Sequence, residues 1–142
     1  MHFSHSFVLQ VCIAAHYGVN ANGTVSVNNT ALVGGVQSSQ VYQILGWAQA
    51  SRPQYPAELT VSLQGVPFPA PLWWLATSDN STGRYEWAVG SDPLCATLFV
   101  LTRSYPISKP YLAAIDKALA VHSWQRKSLV EITWAGCSPL SR

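Results

Sequence analysis

Short runs that alternate apolar and polar residues, each closed by a cluster of turn-forming residues, recur along most of this chain. That period of two is the period of a β-strand with one face buried and one wet, and it confines the fold to antiparallel sheet over most of its length. Val11, Ile13, Ala15 and Tyr17 fall on one face of a first strand, with Cys12, Ala14 and His16 on the other. Asn20-Ala-Asn-Gly23 then signals a turn, and Thr24-Val-Ser-Val27 alternates again up to Asn28-Asn29, so the two segments read as a hairpin. Val41-Tyr-Gln-Ile-Leu45 is a further strand, with Gly46-Trp-Ala48 where it bends and Arg52-Pro-Gln-Tyr-Pro56 as a loop. Glu58-Leu-Thr-Val-Ser-Leu63 places Leu59, Val61 and Leu63 inward. After the proline-rich Gly65 to Pro71 come Leu72-Trp-Trp-Leu-Ala76, then Arg84-Tyr-Glu-Trp-Ala-Val89 with Tyr85, Trp87 and Val89 as its inward set, then Ala96-Thr-Leu-Phe-Val-Leu-Thr-Arg103.

One helix interrupts the pattern. Ser108 is placed to cap it, Pro110 suits its first turn, and Leu112, Ile115, Leu119 and Val121 recur at helical spacing, which predicts a helix over about 108–123. A last short strand is expected at about 129–134, ending near Cys137. The 142 residues suit a single domain, 1–142, with residues 1–7 outside its ordered part.

Several functions are argued against by what is missing. The eight Lys and Arg are scattered from Arg52 to Arg142 and form no stripe for a phosphate backbone to follow, so no nucleic-acid partner is expected. Glu58, Asp79, Glu86, Asp92, Asp116 and Glu131 fall on outward faces, turns and the helix without a pair suited to acid–base work. There is no G-x-S-x-G elbow, no G-x-G-x-x-G and no phosphate loop, so no catalytic residue is assigned and no cofactor is required. Neither the three cysteines, which include no C-x-x-C pair, nor His2, His5, His16 and His122 give metal-ligand spacing, and no metal site is assigned. Two of Cys12, Cys95 and Cys137 can pair. Asn22, Asn28 and Asn80 each open an N-x-[ST] acceptor beside turn-forming residues. Phe7 to Ala15 is apolar enough to serve as the core of a signal peptide, but it lacks a basic flank, and its alternation favours a strand.

Many antiparallel strands, one late helix and a short closing strand is the order of the lipocalins, and local motifs resemble that family along nearly the whole chain. Cys12-Ile-Ala-Ala-His-Tyr17 and Asn22-Gly-Thr-Val-Ser-Val-Asn28 resemble the second and third barrel strands of its apolipoprotein D-like and bacterial lipoprotein branches. Gly46-Trp-Ala48 is similar to the G-x-A that follows them. Pro56 to Leu63, Ala70 to Thr77 and Tyr85 to Val89 resemble strands five to seven, and Leu98-Phe-Val-Leu-Thr-Arg103 resembles the third family motif. The family's Gly-x-Trp, which opens the first strand, has no counterpart before Cys12, which leaves a truncated start, the favoured reading, or a barrel lacking that strand.

The resemblance implies an all-β, antiparallel up-and-down barrel with a flanking C-terminal helix, holding a small apolar ligand: fatty acid, sterol, retinoid or pigment. The expected ligand-lining residues are Tyr17, Leu59, Val61, Trp73, Tyr85, Trp87 and Phe99, of which Tyr17 and Phe99 match lining positions of the apolipoprotein D-like branch; ordinary core packing accounts for the same positions. Arg103 is expected in a structural role at the barrel base, where the family's arginine stacks on a tryptophan. Cys12 and Cys137 match two cysteines joined in that branch, a link worth at most about 4 to 5 kcal/mol in the chain-entropy picture. Cys95 is then the odd thiol. With the sequons, this pairing implies a secreted or extracytoplasmic protein; membrane association is not required. The alternatives are a protein-interaction module on a packed barrel, or an enzyme on the same scaffold, which a cluster of inward polar residues would mark.

Overall fold

The computed structural model describes residues 10–137. The expectations placed on residues 1–7, on His2 and His5, and on a Gly-x-Trp ahead of the first strand lie outside the described residues. Seven strands precede one helix: β1 (Gln10–Val19), β2 (Val25–Val33), β3 (Val41–Arg52), β4 (Tyr55–Leu63), β5 (Ala70–Thr77), β6 (Trp87–Ser91), β7 (Leu98–Thr102) and α1 (Lys109–Ala120). Strand order follows chain order, and β1–β2, β2–β3, β5–β6 and β6–β7 pair antiparallel. This is the expected all-β, up-and-down arrangement with a C-terminal helix. The chain forms two compact units, one from the described residues of Met1–Ser51, Thr60–Ala70 and Ile132–Arg142, the other from Arg52–Leu59 and Pro71–Glu131.

In the first unit, β1, β2 and β3 pair side by side. The β1–β2 turn forms where the Asn and Gly residues require it: Gly23 takes φ +82° and donates to the Asn20 carbonyl, and Asn20 in turn donates to the Thr24 carbonyl. Val27, Ile44 and Ala48 are buried on the face that carries Tyr17, while Gln43, Leu45 and Trp47 point from the other face and remain exposed. β2 runs further than the sequence suggests, because Asn28 and Asn29 pair within the sheet instead of closing it, and Asn28 accepts a hydrogen bond from Gln43 on β3 (2.9 Å). Arg52 to Pro56 is also tighter than expected: only Pro53 and Gln54 separate β3 from β4, making a long hairpin.

The expected closing strand at 129–134 does not form; that stretch joins no ladder. β1 is bulged between Val11 and Ala14, with Cys12 at φ +55°, which breaks the regular row of groups a partner strand needs. The Ile13 carbonyl instead accepts the indole N–H of Trp134 (3.0 Å), and Cys12 is bonded to Cys137. A side-chain hydrogen bond and a covalent link thus hold this segment where a ladder was expected.

In the second unit, one face of the β5–β6–β7 sheet is packed against α1. Trp87, Val89, Ile115 and Leu119 form its buried cluster, flanked by Ala76, Leu98, Val100, Ile107, Tyr111 and Trp124. The helix starts after Ser108 with Pro110 in its first turn. It ends in a paired closure: Ser123, at φ +60°, donates to the Ala120 carbonyl and Trp124 to the Leu119 carbonyl, which folds Trp124 back onto the cluster.

Candidate functional site

Cross-strand register decides which side chains of the second unit share a face. Trp74 on β5 and Phe99 on β7 both lie opposite Gly90 on β6, and their rings meet edge to face with centroids 5.7 Å apart. Gly90 makes this row feasible, since a Cβ there would stand 2.3 Å from the Phe99 ring. Ala88 and Leu101 continue the row on the same face. Trp87 and Val89 alternate to the opposite face, under the helix. The two faces of one sheet therefore divide the work: one is sealed by α1, and the other presents half-buried aromatic rings.

Trp74 also borders an open cleft of about 340 Å³, lined by Gln54 to Glu58 at the β3–β4 turn and by Trp73, Trp74 and Leu75. Its volume lies at the low end of the range of small-molecule sites. At its rim the Arg52 guanidinium sits 4.2 Å from the centre of the Tyr55 ring and pairs with Glu58.

Among the residues expected to line a ligand site, Phe99 stands in the aromatic row and Trp73 lines the cleft, although its register with Ser91 puts it on the helix-bearing side of β5. Leu59 and Val61 are half-buried on β4, where they alternate with Thr60, whose hydroxyl meets that of Ser51 (2.8 Å). Tyr17 is 48% exposed, and partial desolvation of its phenol pushes its pKa above the ordinary value. The expectation for Trp87 is corrected: it is 7% exposed and closed off beneath α1, because the helix covers the face that period-two alternation alone assigned to the interior. Tyr85 precedes β6 and is exposed, and its carbonyl accepts from the Arg103 guanidinium. Arg103 also donates its backbone N–H to the Glu86 carbonyl (3.0 Å), tying the end of β7 to the approach to β6. The residue missed at the sequence level is Trp74; the signal for it was Gly90, a glycine inside a strand.

Five of the six acidic side chains, all but Glu131, are occupied by structural contacts. Glu58, Glu86 and Asp116 pair with Arg52, Arg84 and Arg126. Asp79 accepts from Ser81, and Asp92 organises the β6–β7 loop, accepting from the Thr97 hydroxyl (2.7 Å) and from the backbone N–H groups of Thr97 and Leu94. Those bonds, the Thr97 hydroxyl foremost, hold the Asp92 carboxyl at about 2. Among the described residues no group of three or more His, Cys, Asp or Glu side chains is gathered for a metal ion, and no helix is long and apolar enough to cross a membrane.

A family model described as a lipocalin-like domain matches residues 6–133. The chain belongs to the lipocalin-like family. Lipocalin-like domains generally bind or carry small hydrophobic molecules and are generally not enzymes, and the sheet order and C-terminal helix described above agree with that fold. A search of curated proteins found no match.

Proposed function

We propose that this lipocalin-like protein binds a small apolar molecule of the fatty acid, sterol, retinoid or pigment class, and that Trp74 and Phe99 are its principal contacts. The observation that carries the reading is the row Trp74, Gly90, Phe99: a strand glycine whose missing side chain lets two rings close over it, on the sheet face that the helix leaves uncovered. Burying apolar ligand surface against such rings stabilises the complex by about 25 cal/mol per Å², and edge-to-face geometry holds both rings ready before the ligand arrives. Within the same unit, Trp73 lines the cleft that Trp74 borders and supplies further apolar contact there. Binding needs no proton transfer, cofactor or metal, and the acids already committed to ion pairs and loop closure take no part in it. The Cys12–Cys137 bond supports export to an oxidising compartment.

The test is titration of the full chain with fluorescent apolar probes, an anilinonaphthalene sulfonate and a retinoid, followed by tryptophan quenching. Saturation at about one probe per chain, lost in Phe99→Ala and weakened in Trp74→Phe, is the expected result. Saturable binding that survives both changes would move the site elsewhere, and no binding by the folded chain would remove the carrier function.

A further inference from the structure

Two of the three N-x-[ST] acceptors, Asn22 and Asn28, occupy structurally different places, and the difference predicts which of the two is used. Asn22 lies at the exposed tip of the β1–β2 hairpin. Its Oδ1 accepts both the Thr24 backbone N–H (3.1 Å) and the Thr24 hydroxyl (2.7 Å), so acceptor and hydroxyl residue are already brought together, and the Asn22 Nδ2 faces solvent with no hydrogen-bond partner among the described residues. Asn28 is the opposite case. It lies within β2, paired to His16 on one side and Leu45 on the other, with its Oδ1 engaged by Gln43 (2.9 Å). An enzyme that must wrap an extended loop cannot reach it once the sheet forms.

Beside Asn22 lies an open groove of about 320 Å³, lined by Asn20, Asn22, Thr24, Trp47 and Gln49. Trp47 is 41% exposed and shares its row with Ser26 and Gly18, whose small size leaves the indole uncovered. An aromatic face flanked by side-chain amides is suited to a sugar: the ring takes the apolar C–H face of a pyranose, and the amides take its hydroxyl and acetamido groups.

We propose that Asn22 carries an N-linked glycan whose first sugar rests on Trp47 between Asn20 and Gln49, and that Asn28 stays unmodified. The proposal rests on the export reading given above. In the transfer, the Asn22 Nδ2 forms a bond to C1 of the first sugar of a polyprenyl-pyrophosphate-linked oligosaccharide. The bond from C1 to the pyrophosphate oxygen breaks, the amide gives up one proton to the transferase, and the lipid pyrophosphate leaves with the bonding pair.

The full chain is secreted from cultured animal cells behind an added cleavable leader, and each acceptor is scored by enzymatic deglycosylation in heavy-oxygen water and peptide mass spectrometry. The expected result is occupancy at Asn22, abolished in Asn22→Gln and Thr24→Ala and kept in Thr24→Ser, with none at Asn28. Seating of the sugar is read separately: deglycosylation should lower the melting temperature of the parent but not of Trp47→Phe or Trp47→Ala. Secreted protein unmodified at Asn22, or modified at Asn28, overturns the choice of site. An equal loss of melting temperature in the Trp47 variants overturns the seat. Failure of secretion itself refutes the export reading on which the proposal rests, and this is distinguishable from a secreted but bare chain.

Discussion

The two units of this protein hold their strands in place by different means. In the second, a helix lies on the sheet, and Trp87, Val89, Ile115 and Leu119 seal one face by apolar burial alone. In the first, the clustered core is smaller, Val11, Cys12 and Leu32 with Val36 and Cys137 at its edge, and one of its contacts is covalent. Where a helix covers a sheet, packing suffices; where chain segments 125 residues apart must meet at a bulged strand, a disulfide does the joining. Trp74 and Phe99 lie on the face of the second unit's sheet opposite the helix.

This contrast can be broken at several points. The largest effect is expected from Cys137→Ser, which removes the covalent link and costs at most about 4 to 5 kcal/mol. Hydrogen exchange should then rise in β1 and its surroundings while α1 and β6 keep their protection; equal loss everywhere would mean that the two cores do not act separately. Leu119→Ala, a truncation of a residue with 0% exposure, should cost about 2 to 5 kcal/mol in denaturant unfolding and expose the helix amides first. Gly90→Ala is next, about 1 to 3 kcal/mol, because the new methyl collides with the Phe99 ring. Unlike Leu119→Ala, it should also weaken probe binding in the folded protein.

Smaller effects follow from the charged groups. Asp92 has a folded pKa of about 2, below its unfolded value near 3.9, so its contribution is fully present above the unfolded value and is lost as pH falls through about 2. The melting temperature of Asp92→Asn should therefore lie below the parent's at neutral pH, and the gap should close on acidification; a constant gap would show that shape and not charge holds the loop. Asp116→Asn, which breaks the half-exposed pair with Arg126, should change stability by less than about 1 kcal/mol in the same melt.

Much of the strand order was legible in the sequence, because alternation and turn residues act locally: Asn20 to Gly23 turns as expected, and the helix falls close to its expected span. The same local signal failed where tertiary contacts decide. Period two tells that Trp87 and Val89 share a face, but not that a helix 20 and more residues later covers that face in place of a ligand. Leu129 to Trp134 has strand-like composition, yet the bulge at Cys12 denies it a partner and Trp134 spends its indole N–H on Ile13. Trp73 and Trp74 are adjacent and chemically alike; only the register with Gly90 separates them.

The most direct test compares probe affinity in Phe99→Ala and in Trp87→Phe, two aromatic changes on opposite faces of one sheet, each checked for folding by circular dichroism. The account predicts that Phe99→Ala abolishes saturable binding, whereas Trp87→Phe leaves affinity intact and lowers stability. Binding that is indifferent to Phe99 and lost on changing Trp87 would contradict it.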